Sequence, residues 1–497
     1  MRIKIRTLVI LITQGISQVC KIALGMIIVR MLLKEDVGTY RQAFLVYTFL
    51  GSLFSLNLES SLYYFVPRLR ETRMAGLLLQ TFTLTSVMGL MIAAMMYWGA
   101  ELFASLLGNP EIVPLVQILC LYPFGEKMLL LIPSFLISEN RAIHAGIYTV
   151  VGAVLRISLV YGVLATGGDL TAVCKWLVIG TASLGMIGCL DIFRFARKTS
   201  WTVNRGHLRE QLGYCLPLLI NSGVAVLNLQ FDKYLVSTYF DVATFAVYSC
   251  GAMDLPMIAL ITSSVSNAIM PNLVNLAREG NFKGTVTLWQ KAMRKSALAI
   301  FPAFVFFMVI GRDFMVLLYG ESYAEASWPF RIYLLGLPIR IAVYSALLRA
   351  LGQTRPIALS ALVGLVSNVV ISTSLIYLGK GTLLSFTAPA IGTIVSYFAI
   401  ALYCLSQISR HVGISISKLM SWGSLLRLMI VFLVAALPIM WLEPGLPLVF
   451  GLMVKAVIFA VLSLAVLHFT GTLEADETAM LQMPAKVLRK LMGRLWR

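Results

Sequence analysis

Eight ionisable side chains stand in stretches that are otherwise apolar: Lys21, Arg30, Glu59, Glu126, Lys127, Arg156, Asp254 and Arg340. An ionised group taken out of water costs several kcal/mol unless it is paired or faces a wet cavity, so each of these positions is a candidate for function. The five cations, Lys21, Arg30, Lys127, Arg156 and Arg340, suit phosphate oxygens, which accept charge-assisted hydrogen bonds from guanidinium and ammonium groups. The three carboxylates, Glu59, Glu126 and Asp254, have two readings: they carry a coupling proton or cation, or they neutralise a neighbouring base. Catalysis is not expected. The four histidines stand at loops or at the ends of apolar runs, with no H-E-x-x-H or Gly-x-Ser-x-Gly context, and no phosphate-binding G-x-x-x-x-G-K-[ST] loop occurs. Seven cysteines are scattered without a C-x-x-C pair, as buried free thiols are. No metal or cofactor is expected.

The elements that hold these charges follow from composition. Of 497 residues, 59% are hydrophobic and 12% charged, and the mean hydropathy is +0.87. A soluble domain carries roughly a quarter of its residues as charges, so this chain needs a non-aqueous solvent. Apolar runs long enough to cross a bilayer predict an all-α polytopic membrane protein of about fourteen transmembrane helices, including spans at 42–66, 112–137, 243–270 and 327–349. The net charge of +18 lies in short segments between the apolar runs, which argues against nucleic acid. Alternate segments hold most of the Lys and Arg, placing both termini on the cytoplasmic side. No segment between spans is long enough for a separate domain, which disfavours a membrane glycosyltransferase or polymerase.

The chain also repeats itself. Ser138-Glu-Asn-Arg141-Ala-Ile143 after the fourth span is answered by Gly352-Gln-Thr-Arg355-Pro-Ile357 after the tenth, at an offset of about 214 residues. Val37-Gly38-Thr39-Tyr40 is answered by Phe245-Ala246-Val247-Tyr248 at an offset of about 208. The organisation expected is an N-terminal six-helix half (1–195), a basic cytoplasmic linker (196–212), a C-terminal six-helix half (213–405), two additional helices (406–470) and a basic amphipathic tail (471–497). Parallel six-helix repeats place a substrate cavity between them. At 1.5 Å per residue, Glu126 and Arg156 both lie roughly 16 Å from the cytoplasmic face, a depth at which adjacent antiparallel helices can pair them. The repeat sets Arg340 at the position equivalent to Glu126. Pro217, Pro256, Pro302, Pro338 and Pro389 fall inside spans and predict kinks.

The stretch Arg30-Met-Leu-Leu-Lys-Glu-Asp-Val-Gly38-Thr-Tyr40-Arg41-Gln42, with Asn57-Leu-Glu-Ser-Ser-Leu-Tyr-Tyr64-Phe-Val-Pro67-Arg68, resembles the polysaccharide-biosynthesis (O-antigen and exopolysaccharide) flippases of the multidrug/oligosaccharidyl-lipid/polysaccharide exporter superfamily. Pro217-Leu-Leu, Asp232-Lys233-Tyr-Leu and Val247-Tyr248 extend the resemblance into the second half. Gly38, Tyr40, Asp232 and Lys233 are its structural signature. The resemblance implies movement of a polyprenyl-pyrophosphate-linked oligosaccharide from the inner to the outer leaflet of the bacterial cytoplasmic membrane. The partners it implies are that lipid-linked substrate, membrane lipids, and the glycosyltransferases and polymerase of the same pathway. The rival readings are a peptidoglycan lipid-precursor flippase, a drug/cation antiporter of the same superfamily and a non-transporting membrane scaffold.

Overall fold

The computed structural model describes residues 3–69, 74–197, 199–443, 445–474 and 477, and it contains only helices and their connections among them. Arg70, Arg73, Lys198, Pro444 and the expected amphipathic tail beyond Glu474, Glu477 apart, lie outside the described residues. An apolar chain with no water to bond its backbone must satisfy every N–H and C=O internally, and helices do so within one segment. In chain order the first ten are α1 (Ile3–Met31), α2 (Lys34–Phe54), α3 (Leu58–Leu69), α4 (Met74–Leu106), α5 (Ile112–Leu119), α6 (Tyr122–Ser138), α7 (Ala142–Ala165), α8 (Leu170–Ala196), α9 (Arg205–Tyr239) and α10 (Val242–Gly251). Then follow α11 (Pro256–Arg278), α12 (Phe282–Tyr319), α13 (Ser327–Leu334), α14 (Leu337–Arg340), α15 (Tyr344–Ala350), α16 (Arg355–Leu378), α17 (Leu383–Val412), α18 (Ile416–Leu419), α19 (Trp422–Met440) and α20 (Leu448–Phe469).

Among the described residues, eleven helices are long and apolar enough to cross a membrane, or thirteen if each of two bent pairs is one span. The protein is therefore a multi-pass membrane protein, with fewer unambiguous spans than the fourteen expected. The difference has a physical cause. The span expected at 243–270 is split into α10 and α11, because Leu255 before Pro256 takes an extended backbone and Pro256 opens a new helix. The spans expected at 42–66 and 112–137 are bent pairs, α2 with α3 at 43° and α5 with α6 at 41°. The span expected at 327–349 is counted among the eleven, within Glu321–Ala350, although its path is divided into α13, α14 and α15. The four interrupted spans are thus the second, fourth, eighth and tenth, the pairs that the repeat aligns. Prolines divide into two kinds. Pro256 and Pro338 start helices, whereas Pro217, Pro302 and Pro389 lie within continuous ones.

The contacts sort into two compact units. The first comprises Met1–Met253, Leu318–Ala326 and Gly364–Ser396. Its helices meet where side chains are smallest. A Cβ on Gly125 of α6 would stand 2.7 Å from the backbone of Ala182 in α8, and one on Gly185 would stand 2.8 Å from the Gly125 carbonyl oxygen. Such close backbone approach is how membrane helices gain packing energy without a hydrophobic driving force. Around this seam Leu62, Phe65, Met128, Ile132, Phe135 and Ile192 form one core cluster. Leu50, Ile92, Met96, Ile112, Leu119 and Cys174 form a second between α2, α4, α5 and α8.

Several buried polar groups in this unit bridge helices. Gln211 of α9 accepts from Gln80 at 2.7 Å and donates to Ser61 at 2.8 Å and Thr81 at 2.9 Å. Gln42 of α2 accepts from Asn109 at 2.7 Å and donates to Ser237 of α9 at 2.8 Å. Each network ties helices of the expected first half to α9.

The second unit comprises Asp254–Leu317, Ser327–Val363 and Tyr397–Arg497. Its spine is α12, against which the later helices dock. Phe306 stacks on Phe459 of α20 at 5.3 Å. Lys455 of α20 donates to Asp313 of α12 at 3.1 Å. At the other end of α12 the nearly buried Arg294 donates to Glu477 twice, at 2.7 Å from Nε and 3.0 Å from Nη2, to the Thr472 carbonyl at 2.5 Å, and to Ser424 at the start of α19. Gln290, one turn earlier, donates to the carbonyls of Lys418 and Leu419 at 3.0 and 2.9 Å.

Candidate functional site

In the first unit, α6 restarts at Tyr122 after a break at Cys120 and Leu121, and Glu126 stands one turn into it. Arg156 of α7 approaches Glu126 Oε1 at 3.5 Å, so the depth arithmetic and the fold bring the same two residues together. The other carboxylate oxygen accepts from the Tyr47 hydroxyl of α2. Tyr122 lies edge-on to Tyr47 at 5.5 Å and to Phe44 at 5.2 Å, and Phe44 meets Tyr40 at 4.7 Å. The Arg156 guanidinium lies 5.9 Å from the Tyr122 ring centre, in cation–π range. Arg156 Nε is buried and has no hydrogen-bond partner among the described residues. Side-chain exposures are 21% for Arg156 and 20% for Glu126. Tyr47 and Tyr122 were not among the residues expected. The signal was present in α2, where Tyr40, Phe44 and Tyr47 follow i, i+4, i+7 spacing and so share a face.

Lys127 points elsewhere, lining with Glu59, Ser55 and Thr85 a narrow cleft between α3, α4 and α6. Lys21 occupies an exposed position on α1. Arg30, in the last turn of α1, donates from Nε to the Leu318 carbonyl at 3.1 Å. These cations thus have different local surroundings.

In the second unit, Arg340 ends the one-turn helix α14 and donates from Nη1 to Asp254 Oδ1 at 2.8 Å. Asp254 lies in the break just before α11. Both ends of this pair thus occupy interruptions of spans, where backbone groups are freed and side chains can reach a cavity. Exposures are 31% for Arg340 and 43% for Asp254. Beyond Arg340 the chain turns tightly, with Tyr344 N–H bonding the Ala342 carbonyl at 2.8 Å, and opens a cleft of about 260 Å³ whose walls include Tyr344, Ile357, Tyr397, Ile400 and Ala401.

The expected signature residues make the following contacts. A Cβ on Gly38 would stand 2.3 Å from the Val242 carbonyl oxygen, so only glycine lets α2 lie against the start of α10. Tyr40 packs on Phe44. Asp232 is buried and accepts from the Tyr248 hydroxyl at 2.8 Å, while Lys233 donates to Gln230 at 2.9 Å. The pairs Lys455–Asp313 and Arg294–Glu477 were also missed. The latter needs a residue in the segment that the basic tail led us to read by its cations.

Comparison with known proteins agrees with this architecture. The family model described as polysaccharide biosynthesis protein matches residues 27–328, more than half of the chain. The capsular polysaccharide biosynthesis protein CapF of Staphylococcus aureus is 21% identical over 319 residues, 62% of this chain and 76% of that protein. The solved structure of the lipid II flippase MurJ, in an inward closed conformation, superposes with a TM-score of 0.69 at 14% identity, covering 93% of this chain and 99% of its own. An inward-facing multidrug resistance MATE family transporter of the MOP superfamily superposes with a TM-score of 0.62 at 17% identity, covering 80% and 95%. At such identities these structures share the fold. With the family model matched across most of the helices that carry the first site, the chain belongs to the polysaccharide biosynthesis protein family.

Proposed function

We propose that this protein is a flippase that carries a polyprenyl-pyrophosphate-linked oligosaccharide from the inner to the outer leaflet of the bacterial cytoplasmic membrane, for surface or exopolysaccharide synthesis. The observation that carries the reading is the pair of guanidinium–carboxylate sites at interrupted helices in a chain of the polysaccharide biosynthesis family. One site keeps its donors open to a phosphate: Arg340 is partly exposed beside a cleft, whereas the unpartnered Arg156 Nε is buried. A pyrophosphate needs such donors when it leaves water, because charged hydrogen bonds replace its hydration. The bulk of the prenyl chain stays in lipid.

In this reading the six-helix halves 1–195 and 213–405 alternate access to the cargo, the cations Lys21, Arg30, Lys127, Arg156 and Arg340 serve its phosphates, and both termini are cytoplasmic. Glu59, Glu126 and Asp254 neutralise those cations when the cargo is absent. The protein is a transporter, not an enzyme, and works beside the glycosyltransferases and polymerase that make and extend the cargo. The test is a deletion strain of the source bacterium. Lipid-linked oligosaccharide should accumulate in the inner leaflet, and surface polysaccharide should return on complementation; unchanged surface polysaccharide in the deletion strain sinks the proposal. A second reading, a flippase for the peptidoglycan precursor, is favoured by the coverage of the lipid II flippase fold. It requires that the deletion stop cell-wall synthesis and growth, which the first reading does not.

A further inference from the structure

The cleft beside Arg340 sets a guanidinium against largely apolar walls. One edge is a guanidinium; the walls combine aliphatic groups such as Ile357, Ile400 and Ala401 with the hydroxyls of Thr262, Ser345 and Ser360. All of these residues, and Asp254, belong to the second compact unit. A cavity of about 150 Å³ holds a benzene ring, so about 260 Å³ has room for one or two isoprenyl units. The guanidinium is held by a carboxylate that is itself 43% exposed, so surrounding packing does not lock Asp254 in place. A phosphate presents the same bidentate geometry to Arg as a carboxylate does, with more charge.

We infer that this cleft seats the isoprenyl unit next to the head group of a prenyl pyrophosphate, and that its phosphate displaces Asp254 from Arg340. The inference rests on the lipid-linked cargo proposed above and names the subsite in the second unit that recognises it. The exchange has a mechanical side. Asp254 precedes α11 and Arg340 ends α14, so the ion pair ties two interruptions of spans together. A phosphate on Arg340 releases the start of α11 while Arg340 stays neutralised. Cargo binding is thereby read as a change at the backbone breaks, and an empty site is kept from presenting an unpaired cation.

The experiment uses the purified full chain in lipid nanodiscs and three probes: farnesyl pyrophosphate, inorganic pyrophosphate and farnesol. Wild type should bind farnesyl pyrophosphate about tenfold more tightly than either other probe. Arg340→Gln should weaken it about tenfold, and Ala401→Phe should abolish the advantage over inorganic pyrophosphate. Asp254→Asn, which removes the competing charge, should tighten farnesyl pyrophosphate binding several-fold, a gain that misfolding cannot imitate. Equal or weaker binding by Asp254→Asn overturns the exchange. No preference of wild type for farnesyl pyrophosphate overturns the subsite. Complementation of the deletion strain separates the two claims. If wild type restores polysaccharide while Arg340→Gln binds farnesyl pyrophosphate unchanged, the subsite fails and the transport function stands. If the deletion strain keeps its surface polysaccharide, the transport reading fails.

Discussion

Glu126–Arg156 and Asp254–Arg340 are both carboxylate–guanidinium pairs, yet the longer of the two is the more enclosed. The first spans 3.5 Å with side chains about a fifth exposed; the second spans 2.8 Å with exposures of 43% and 31%. The Glu126 carboxylate divides itself between Arg156 and the Tyr47 hydroxyl inside a ring of aromatic groups. The Asp254 carboxylate stands in a break between helices. A short distance is therefore a poor guide to strength. What an ion pair contributes depends on what replaces it, and water or a ligand replaces the exposed one easily, while little can replace the enclosed one.

That contrast sets an order of effects. The largest is expected at the seam that positions Glu126. Gly125→Val puts atoms where the backbone of Ala182 already lies, and α6 cannot then lie against α8; folded protein should be absent by size-exclusion chromatography in detergent. Next, Glu126→Gln leaves the Arg156 charge without its counterion. Breaking a buried pair costs about 3–5 kcal/mol, and partial exposure reduces this to about 2–3 kcal/mol, to be seen as a lower thermal midpoint in nanodiscs. Tyr47→Phe removes one hydrogen bond to a charged acceptor, about 1.5 kcal/mol, and the same melts should show a smaller drop. The smallest effect on stability is expected for Arg340→Gln, below about 1 kcal/mol as for exposed pairs, although surface polysaccharide should fall the most in this variant among those that fold. If Arg340→Gln destabilises more than Glu126→Gln, the contrast between the two pairs is wrong.

Much of this was legible before the fold. Charges in apolar runs reveal themselves, and the rise per residue placed Glu126 and Arg156 at one depth on neighbouring helices. The repeat aligned the second span with the eighth and the fourth with the tenth, the four that the structure interrupts. The interruptions themselves were less visible, since a hydropathy reading registers length and polarity but not a bend. Pro256 and Pro338 marked two of them, but Pro217 and Pro302 carry the same sign and lie in unbroken helices. Partners far apart in sequence were out of reach. Nothing local in Tyr47 points to Glu126, nor anything in Asp313 to Lys455, because those contacts are set by packing between helices. The five cations were expected around one cavity, and their local surroundings differ: Lys127 faces Glu59 across a cleft, while Arg30 caps a carbonyl.

The Arg294–Glu477 contact has a consequence for how the protein is made. The two residues are 183 positions apart. At synthesis rates of about 5–20 residues per second, Arg294 waits roughly 10–40 s for its counterion. During that interval the guanidinium in the first half of α12 lacks the carboxylates that pair with it, which follow α20. The last two membrane helices must therefore be threaded and docked before the middle of the chain reaches its final charge balance. A chain that stops before Glu474 leaves this guanidinium without either of the carboxylates that pair with it.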